Sequence, residues 1–185
     1  GRAGNLKLLR KMGEEYGFEA IGTGSFMDGS RRVSSTLIRK ALTDGDLASA
    51  ERMLGREYSM SGKVTHGDEI GRTIGFPTAN IHLGNRRVPV AGVFAVRVLL
   101  DGKSLCGMAN IGTRPTVDGQ EPRLEVNIFG NPGDIYGRRI TVILLRKLRD
   151  EVKFPSLESL RKQIEADAVE AMAEARKAGA SVNEN

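Results

Sequence analysis

The chain has 185 residues, which is enough for one substantial hydrophobic core and a partial second unit. Its net charge of +5 suits anionic ligands such as nucleotides, but no dense basic run is interleaved with aromatic residues, which disfavours nucleic acid as a partner. One cysteine excludes an internal disulfide and makes a Cys-based metal site implausible, and no apolar stretch reaches membrane-spanning length, so we expect a cytoplasmic protein without a membrane partner.

The first part of the chain has mainly helical patterning. Apolar residues recur at helical spacing from Leu6 to Met12, and the stretch Phe18-Glu-Ala-Ile21 predicts a short strand. Hydroxyl groups that can cap a helix precede a second helical pattern at residues 37–42, and Gly55 can end a third helix. We expect Leu9, Met12 and Tyr16 to be left partly exposed and the segment to be mobile. The opening residues, which lack Met, indicate a fragment of a longer chain.

From residue 57 the apolar residues recur with a period of two. Short alternating segments are separated by Gly and Pro turns, and Asp101-Gly102 is a two-residue hairpin signal. The predicted strands are residues 58–65, 78–83, 93–100, 103–111, 124–129 and 140–145. Because closure removes exposed strand edges, about six short strands without intervening helices favour a closed antiparallel barrel.

Helical patterning returns after the last predicted strand. Ser156 can cap a helix whose apolar stripe runs from Leu157 to Met172. We interpret this stripe as the face of a helix packed on the barrel, in preference to a partner-binding or membrane helix. Cys106, in the middle of the chain, is interpreted as a small core residue.

Three glycines spaced four residues apart, Gly67, Gly71 and Gly75, precede Thr78 and Asn80. Successive backbone N–H groups in a glycine-rich turn can form an anion-binding concavity. The hydroxyl and the amide oxygen, two residues apart on a strand, point to one face and suit Mg²⁺ that shares its shell with phosphates. By spacing alone, a mobile turn with Thr and Asn as ordinary turn residues explains the segment equally well.

Two further segments carry polar groups that suit a ligand site. Glu125 lies in a strand whose alternate positions are apolar, so its face is not core, and a carboxylate can accept the hydroxyl proton in phosphoryl transfer to an alcohol. A solvated outer-face glutamate is the ordinary alternative. Residues 110–116 are interpreted as a strand end that breaks into a Gly/Pro turn and lines the rim of a polar site.

Six motifs resemble, in order, those of riboflavin kinases, over roughly residues 57–170. They are Gly71-Arg-Thr-Ile-Gly75-Phe-Pro-Thr-Ala-Asn80, Val88-Pro-Val-Ala-Gly92-Val-Phe-Ala, Asn110-Ile-Gly-Thr-Arg-Pro-Thr116, Leu124-Glu125-Val, Asp134-Ile-Tyr136-Gly137 and Leu148-Arg149-Asp-Glu-Val-Lys-Phe154. The chain looks like the kinase module of bifunctional bacterial riboflavin kinase/FMN adenylyltransferases (FAD synthetases). The segment from Arg32 to Arg39 is similar to the signature that closes the adenylyltransferase domain of that family.

This resemblance implies a mainly β fold, a six-stranded antiparallel Greek-key barrel of the riboflavin kinase type with a C-terminal helix. A short, mostly helical remnant of an α/β nucleotidyltransferase domain would precede it. The expected boundaries are residues 1–56 for the remnant, 57–175 for the kinase domain and 176–185 for a flexible tail. Because the family's His-x-Gly-His element for ATP phosphates does not occur in this sequence, we predict that the chain does not adenylate FMN to FAD.

The implied activity is ATP- and Mg²⁺-dependent phosphorylation of riboflavin at its ribityl terminal hydroxyl, giving FMN and ADP. A catalytically silent flavin- or nucleotide-binding module is the alternative, but a binder needs no base such as Glu125. A barrel that binds single-stranded nucleic acid would need aromatic stacking platforms, and aromatic residues are 5% of the chain with no Trp. Self-association of a full-length protein is left open.

The resemblance also assigns roles to individual residues. Glu125 would be the general base, and Thr78 and Asn80 would hold the metal. The ATP phosphates would contact Gly67, Gly71, Arg72, Gly75 and Thr78, and the flavin would contact Asn110, Thr113 and Arg149. Residues 126–133 depart from the usual family pattern, so the ligand contacts of that loop are left open.

Overall fold

The structure is a computed structural model that describes residues 5–22, 24–66, 71, 75–84, 87–116 and 119–182. The chain forms two compact units, Gly1–Ser34 and Ser35–Asn185. Within the described part of the chain, no helix combines the length and the apolar character needed to cross a membrane.

The first unit contains helix α1, Leu6–Tyr16, and a two-stranded sheet of β1, Met27–Asp28, and β2, Arg31–Arg32. The side chain of Asn5 caps α1 by accepting a hydrogen bond from the backbone N–H of Leu8. Three apolar side chains predicted to be exposed on this helix are confirmed as exposed: Leu9 (48%), Met12 (39%) and Tyr16 (67%).

The predicted strand Phe18-Glu-Ala-Ile21 is wrong, because these residues form no strand. Gly17 takes a left-handed conformation with φ of 72°, which ends the helix. The N–H of Phe18 then donates to the carbonyl of Gly13 at 3.1 Å, so the start of the segment belongs to the helix C-terminus. The N–H of Phe18, which a strand would have used for pairing, is therefore already hydrogen-bonded at the end of the helix.

The second unit is built on a closed barrel of six antiparallel strands, which confirms the predicted fold class. The strands are β3 Ser59–Thr65, β4 Ala79–His82, β5 Gly92–Leu100, β6 Lys103–Thr116, β7 Gly119–Ile128 and β8 Arg139–Arg149. Their order around the barrel is β3-β4-β7-β6-β5-β8. Since β4 pairs with β7 and β5 closes onto β8, the connections cross the barrel ends in Greek-key fashion.

Two hairpins shape the barrel differently. The turn at Asp101 and Gly102 has positive φ at both residues (50° and 78°), as its sequence predicts for a two-residue hairpin. In contrast, β6 and β7 stay paired beyond Ile111 as far as Thr116 and Gly119, so the predicted Gly/Pro break after residue 110 is wrong.

The prolines in that extension are tolerated because the barrel has ended on either side. Pairing of β5 with β6 stops at Ile111, and pairing of β4 with β7 stops at Leu124. Beyond these points neither strand is paired on its other edge by any residue that the structure describes, and a missing N–H there costs no ladder hydrogen bond. Pro115 and Pro122 both lie in this two-stranded part.

The barrel interior is apolar and fully closed to solvent at its centre. Phe94, Val96 and Val98 on β5 are each 0% exposed. Helix α2, Ser35–Thr43, and helix α3, Leu47–Leu54, pack on the same core through Ala41, Leu42 and Ala50. The unit boundary thus groups α2 and α3 with the barrel, whereas the domain boundaries expected from the sequence stay predictions.

The C-terminal helix α4, Leu157–Lys177, packs on the outside of the barrel, as predicted. Ser156 caps it by accepting from the N–H of Ser159 at 3.2 Å. Ala171 and Ala175, both 0% exposed, form a second apolar cluster with Cys106 on β6. Burial raises the pKa of the Cys106 thiol, which agrees with its interpretation as a core residue.

Candidate active site

A lateral row of residues crosses five neighbouring strands and includes four of the residues predicted for the site. Glu125 on β7 is paired directly with Asn80 on β4 and with Asn110 on β6. Asn110 is paired in turn with Val93 on β5, which is paired with Arg149 on β8. Because directly paired residues place their side chains on one face of a sheet, the pairing register brings these five together.

This row lies on the outer face of the barrel. Its neighbours along β7, Leu124 and Val126, are 0% and 1% exposed and belong to the interior core. Ala79 and Ile81 flank Asn80 in the same way. Since successive strand side chains point to opposite faces, Glu125 and Asn80 must face outwards.

A cavity of about 270 Å³ lies over this row. Helix α4 and the segment after β8 supply apolar walls, and the barrel strands supply the polar groups. The lining residues are Gly71, Phe76, Thr78, Val93, Met108, Ala109, Asn110, Arg123, Glu125, Asn127, Arg149, Glu151, Val152, Phe154, Leu160, Ile164 and Asp167. Five residues predicted for the site, Gly71, Thr78, Asn110, Glu125 and Arg149, are thus brought to one cavity.

Glu125 forms an ion pair with Arg123, in which Nη2 of the arginine lies 2.6 Å from Oε1 of the carboxylate. The side chain of Glu125 is 21% exposed and that of Arg123 is 32% exposed, so the pair sits at the cavity wall and not in open solvent. Arg123 was not among the residues predicted for the site. Its spacing of two from Glu125 on a strand was the available signal, because that spacing puts both residues on one face.

Arg149 is held by several contacts at the other end of the row. Its Nε donates to Oδ2 of Asp167 on α4 at 2.8 Å, and its Nη1 donates to the carbonyl of Asp150 at 3.0 Å. Its guanidinium also lies over the ring of Phe154, 5.5 Å from the centroid. Asp167 is only 5% exposed. Asp167 was not predicted for the site, although an acid next to the apolar stripe of α4 was an available signal.

Asn110 offers a polar group to the cavity. Its Nδ2 donates to Oε1 of Glu151 at 3.1 Å, whereas its Oδ1 is buried and has no hydrogen-bond partner among the described residues. A Cβ at Gly112 would lie 2.5 Å from Oε1 of Glu151, so a larger residue there would displace this carboxylate. Glu151 was quoted within a motif but given no role. Thr113 is exposed beyond the cavity wall, and its flavin role stays a prediction.

The glycine loop is described only at Gly71 and Gly75; Gly67 and Arg72 lie outside the described residues. The N–H of Phe76 donates to the carbonyl of Gly71 at 2.8 Å, and a Cβ on Gly71 would lie 2.2 Å from the carbonyl oxygen of Phe76. Gly71 is therefore required for the close approach of the loop to the segment that leads to Thr78.

A second cavity, of about 410 Å³, adjoins the first through Thr78, which lines both. Its other lining residues are Val64, Pro77, Ala79, Val126, Ile128, Gly130, Asn131, Pro132, Gly133, Ile135 and Tyr136. Asn127, 6% exposed, donates from Nδ2 to the carbonyl of Pro77 at 2.6 Å and so fixes the backbone before Thr78. The ring of Tyr136 stacks on that of His66 with centroids 3.8 Å apart.

Asn80 does not line either of these cavities. It lies with Thr65 and Glu121 at a third, more polar depression. Among the described residues, the side chains of Thr78 and Asn80 have no hydrogen-bond partner, and no cluster of three or more His, Cys, Asp or Glu could hold a metal. A metal at this position would therefore need oxygen ligands from a bound phosphate as well as from the protein.

Most of the chain, including the barrel, is similar to known riboflavin kinases. The profile described as Flavokinase: Riboflavin kinase matches residues 54–175. The chain belongs to the riboflavin kinase family. It is 52% identical over 172 residues to the bifunctional riboflavin kinase/FMN adenylyltransferase of Escherichia coli K12, and 44% identical over 173 residues to that of Haemophilus influenzae. These matches cover 92% and 93% of the chain but only 55% and 56% of the relatives.

Thus the chain spans about half the length of these curated relatives and includes their kinase part. Among solved structures, a Streptococcus pneumoniae protein described as a macrolide-efflux protein superposes with a TM-score of 0.74 at 37% identity. That match covers 92% of this chain and 55% of the other. The shared feature is the fold over nearly the whole chain.

Proposed function

We propose that this chain transfers the terminal phosphoryl group of ATP to the ribityl terminal hydroxyl of riboflavin, giving FMN and ADP. The observation that carries the proposal is the junction of two cavities at Thr78, with Glu125 in the wall of one of them. A kinase needs a donor site and an acceptor site that meet where the phosphoryl group passes. Membership of the riboflavin kinase family supports the choice of substrates.

Riboflavin is assigned to the cavity beside Glu125. Met108, Val152 and Leu160 give this cavity apolar walls that suit the rings of the isoalloxazine. The buried Oδ1 of Asn110 can accept a hydrogen bond from a flavin N–H or a ribityl hydroxyl. This bond would satisfy an acceptor that has no other partner among the described residues. Arg149 supplies a cation beside the same ligand.

Glu125 is assigned the role of general base. Its carboxylate takes the proton from the ribityl hydroxyl as the hydroxyl oxygen forms its bond to the γ-phosphorus. The bond between that phosphorus and the β,γ-bridging oxygen breaks, and ADP leaves with the electron pair. Arg123 holds one carboxylate oxygen at 2.6 Å and thereby restricts the rotation of Glu125.

ATP is assigned to the second cavity, with its phosphates directed towards Thr78 and the glycine loop. Thr78 and Asn80 fit Mg²⁺ as weak, neutral oxygen donors that leave most of the coordination shell to phosphate and water. When bound, the metal neutralises the charge of the transferring phosphates. Gly67, Gly71, Arg72 and Gly75 are proposed to contact the phosphates, as the family motif implies.

The test is turnover by the chain itself. Incubation with riboflavin, ATP and Mg²⁺ is expected to produce FMN and ADP in equal amounts, and omission of ATP or addition of EDTA is expected to stop FMN formation. Riboflavin binding without any FMN would contradict the proposal and support the silent binding module. Formation of FAD from FMN and ATP would contradict the separate prediction that this chain does not adenylate FMN.

Three statements about the wider setting stay predictions from the sequence. They are a cytoplasmic location, the lack of a nucleic-acid partner, and the possibility that a longer protein self-associates. The adenylyltransferase activity named for the bifunctional relatives belongs to those proteins.

A further inference from the structure

A buried carboxylate on α4 has a contact that helix packing does not require. Asp167 is 5% exposed, whereas Glu165 and Glu170 on the same helix are exposed. Burying a charged carboxylate is unfavourable unless it is paired and hydrogen-bonded, and an apolar residue would usually serve packing as well or better. The apolar contacts of Ala171 and Ala175 already hold this helix on the barrel.

Both oxygens of this carboxylate are used, and they are used differently. Oδ1 accepts from Nε2 of Gln163, one turn earlier on α4, at 2.8 Å. Oδ2 accepts from Nε of Arg149 at 2.8 Å. Gln163 therefore orients the carboxylate from within the helix, and the oriented carboxylate holds the inner edge of the guanidinium.

The outer edge of the guanidinium is left for a ligand. Nη1 donates to the carbonyl of Asp150, and Nη2 has no partner among the described residues. Arg149 and Asp167 both line the cavity assigned to riboflavin. Without Asp167, the arginine could rotate about its long side chain and would lose this fixed orientation.

The distance of Arg149 from Glu125 along the row indicates which kinetic parameter should change when Arg149 loses its fixed orientation. Glu125 on β7 and Arg149 on β8 are separated by β6 and β5. Three strand spacings of about 4.8 Å put their backbones up to roughly 14 Å apart. Arg149 therefore acts on the part of the ligand remote from the reacting hydroxyl, so its orientation should affect riboflavin binding more than the chemical step.

We infer that Asp167 is a positioning residue for riboflavin, which holds Arg149 in the orientation that binds the flavin, and that α4 is thereby part of the substrate site. This inference rests on the proposed function. A neighbouring ion pair, Arg146 with Glu170, joins the same strand and helix but is about half exposed (46% and 59%) and lies away from the cavity. It is the matched control for a purely structural contact between β8 and α4.

The test is the steady-state kinetics of Asp167→Asn beside Glu170→Gln. Asp167→Asn is expected to raise KM for riboflavin about tenfold, with kcat and KM for ATP changed less than about threefold. Glu170→Gln is expected to leave all three unchanged. A rise of less than about twofold for a folded Asp167→Asn protein would overturn the inference.

A double-variant cycle separates positioning from general destabilisation. Arg149→Met alone should raise KM for riboflavin, and adding Asp167→Asn to it should cause little further rise, because the acid acts through the arginine. Multiplicative effects would overturn the inference. If Asp167→Asn does not fold, Gln163→Leu replaces it: a raised KM for riboflavin supports the inference, and an unchanged KM overturns it.

Failure of the inference can be told apart from failure of the proposed function. Riboflavin binding to the unmodified chain, followed by quenching of flavin fluorescence, and FMN formation from ATP test the function. If both occur and Asp167→Asn changes neither, only the positioning role is wrong. If the unmodified chain neither binds riboflavin nor forms FMN, the proposed function is wrong and the inference falls with it.

Discussion

The inner and outer faces of the barrel are made by the same strands but are chemically opposite. On β7, Leu124 and Val126 are 0% and 1% exposed in the closed core, while Glu125 between them lies in the wall of the cavity. One residue step along the chain therefore separates a side chain that stabilises the barrel from one assigned to chemistry. The packed interior fixes the strands that carry the outer row, whereas the side chains of the row contribute little to the stability of the core.

Substitution of Glu125 tests the outer face with the largest expected effect. Glu125→Gln removes the proton acceptor but keeps the shape, so we expect kcat for FMN formation to fall by roughly 10²–10⁴ with little change in thermal stability. Glu51→Gln, at an exposed acid on α3 away from the row, is the control and should keep full activity. Turnover that survives Glu125→Gln would show that another group takes the proton.

The inner face is tested one residue earlier. Leu124→Ala leaves a cavity in a fully buried site, so the free energy of unfolding should fall by about 2–5 kcal/mol. Denaturant titration measures this loss, and kcat per folded molecule should stay within about threefold of the unmodified chain. A large loss of kcat without a loss of stability would contradict the division between the two faces.

Thr78 lies where the two cavities meet, and its hydroxyl should matter more than its methyl group. Thr78→Ala is expected to weaken Mg²⁺-dependent ATP binding about tenfold, because one oxygen donor is lost. Thr78→Ser keeps the hydroxyl and is expected to bind ATP normally. Equal ATP affinity of both variants in the presence of Mg²⁺ would count against the ligand role.

The smallest effect is expected at a helix cap away from the row. The side chain of Asp46 accepts from the N–H of Ser49 at 3.0 Å at the start of α3, and hydrogen bonding from Ser49 lowers the pKa of Asp46. Asp46→Ala should cost about 1 kcal/mol of unfolding free energy at pH 7 without changing kcat.

The sign of the pH dependence follows from the lowered pKa of Asp46. The stability that it contributes is present above the unfolded value of about 3.9 and is lost as the pH falls through the lower, folded value. The difference between the unmodified chain and Asp46→Ala should therefore shrink in acid. Asp46→Asn, which keeps a capping oxygen without the charge, should show a weaker pH dependence, and a difference that grows in acid would contradict this account.

Much of the fold could be predicted because its signals are local. Short apolar segments, alternating in some and nearly continuous in the last, predicted all six barrel strands, and Asp101-Gly102 predicted a hairpin that the positive φ values confirm. The strand extension beyond Ile111 was missed because Gly112 and Pro115 look like turn residues. Whether a proline is tolerated depends on which neighbouring strands have already ended, and that is a property of the whole barrel.

The site could be predicted only in part. The motifs pointed to Glu125, Thr78 and Arg149, and the structure brings these to one cavity. No local pattern indicates that α4 returns to place Asp167 on Arg149, 18 residues away in the chain. The partnership of Asn110 with Glu151, 41 residues away, is equally nonlocal. Such contacts depend on strand order and helix docking.

The most direct test of the central claim is the riboflavin affinity of Glu125→Gln, measured by quenching of flavin fluorescence. If Glu125 takes the proton and does not hold the flavin, this affinity should stay within about threefold of that of the unmodified chain although kcat falls by roughly 10²–10⁴. A loss of riboflavin affinity as large as the loss of kcat would contradict the account, because Glu125 would then be a binding group and not the base.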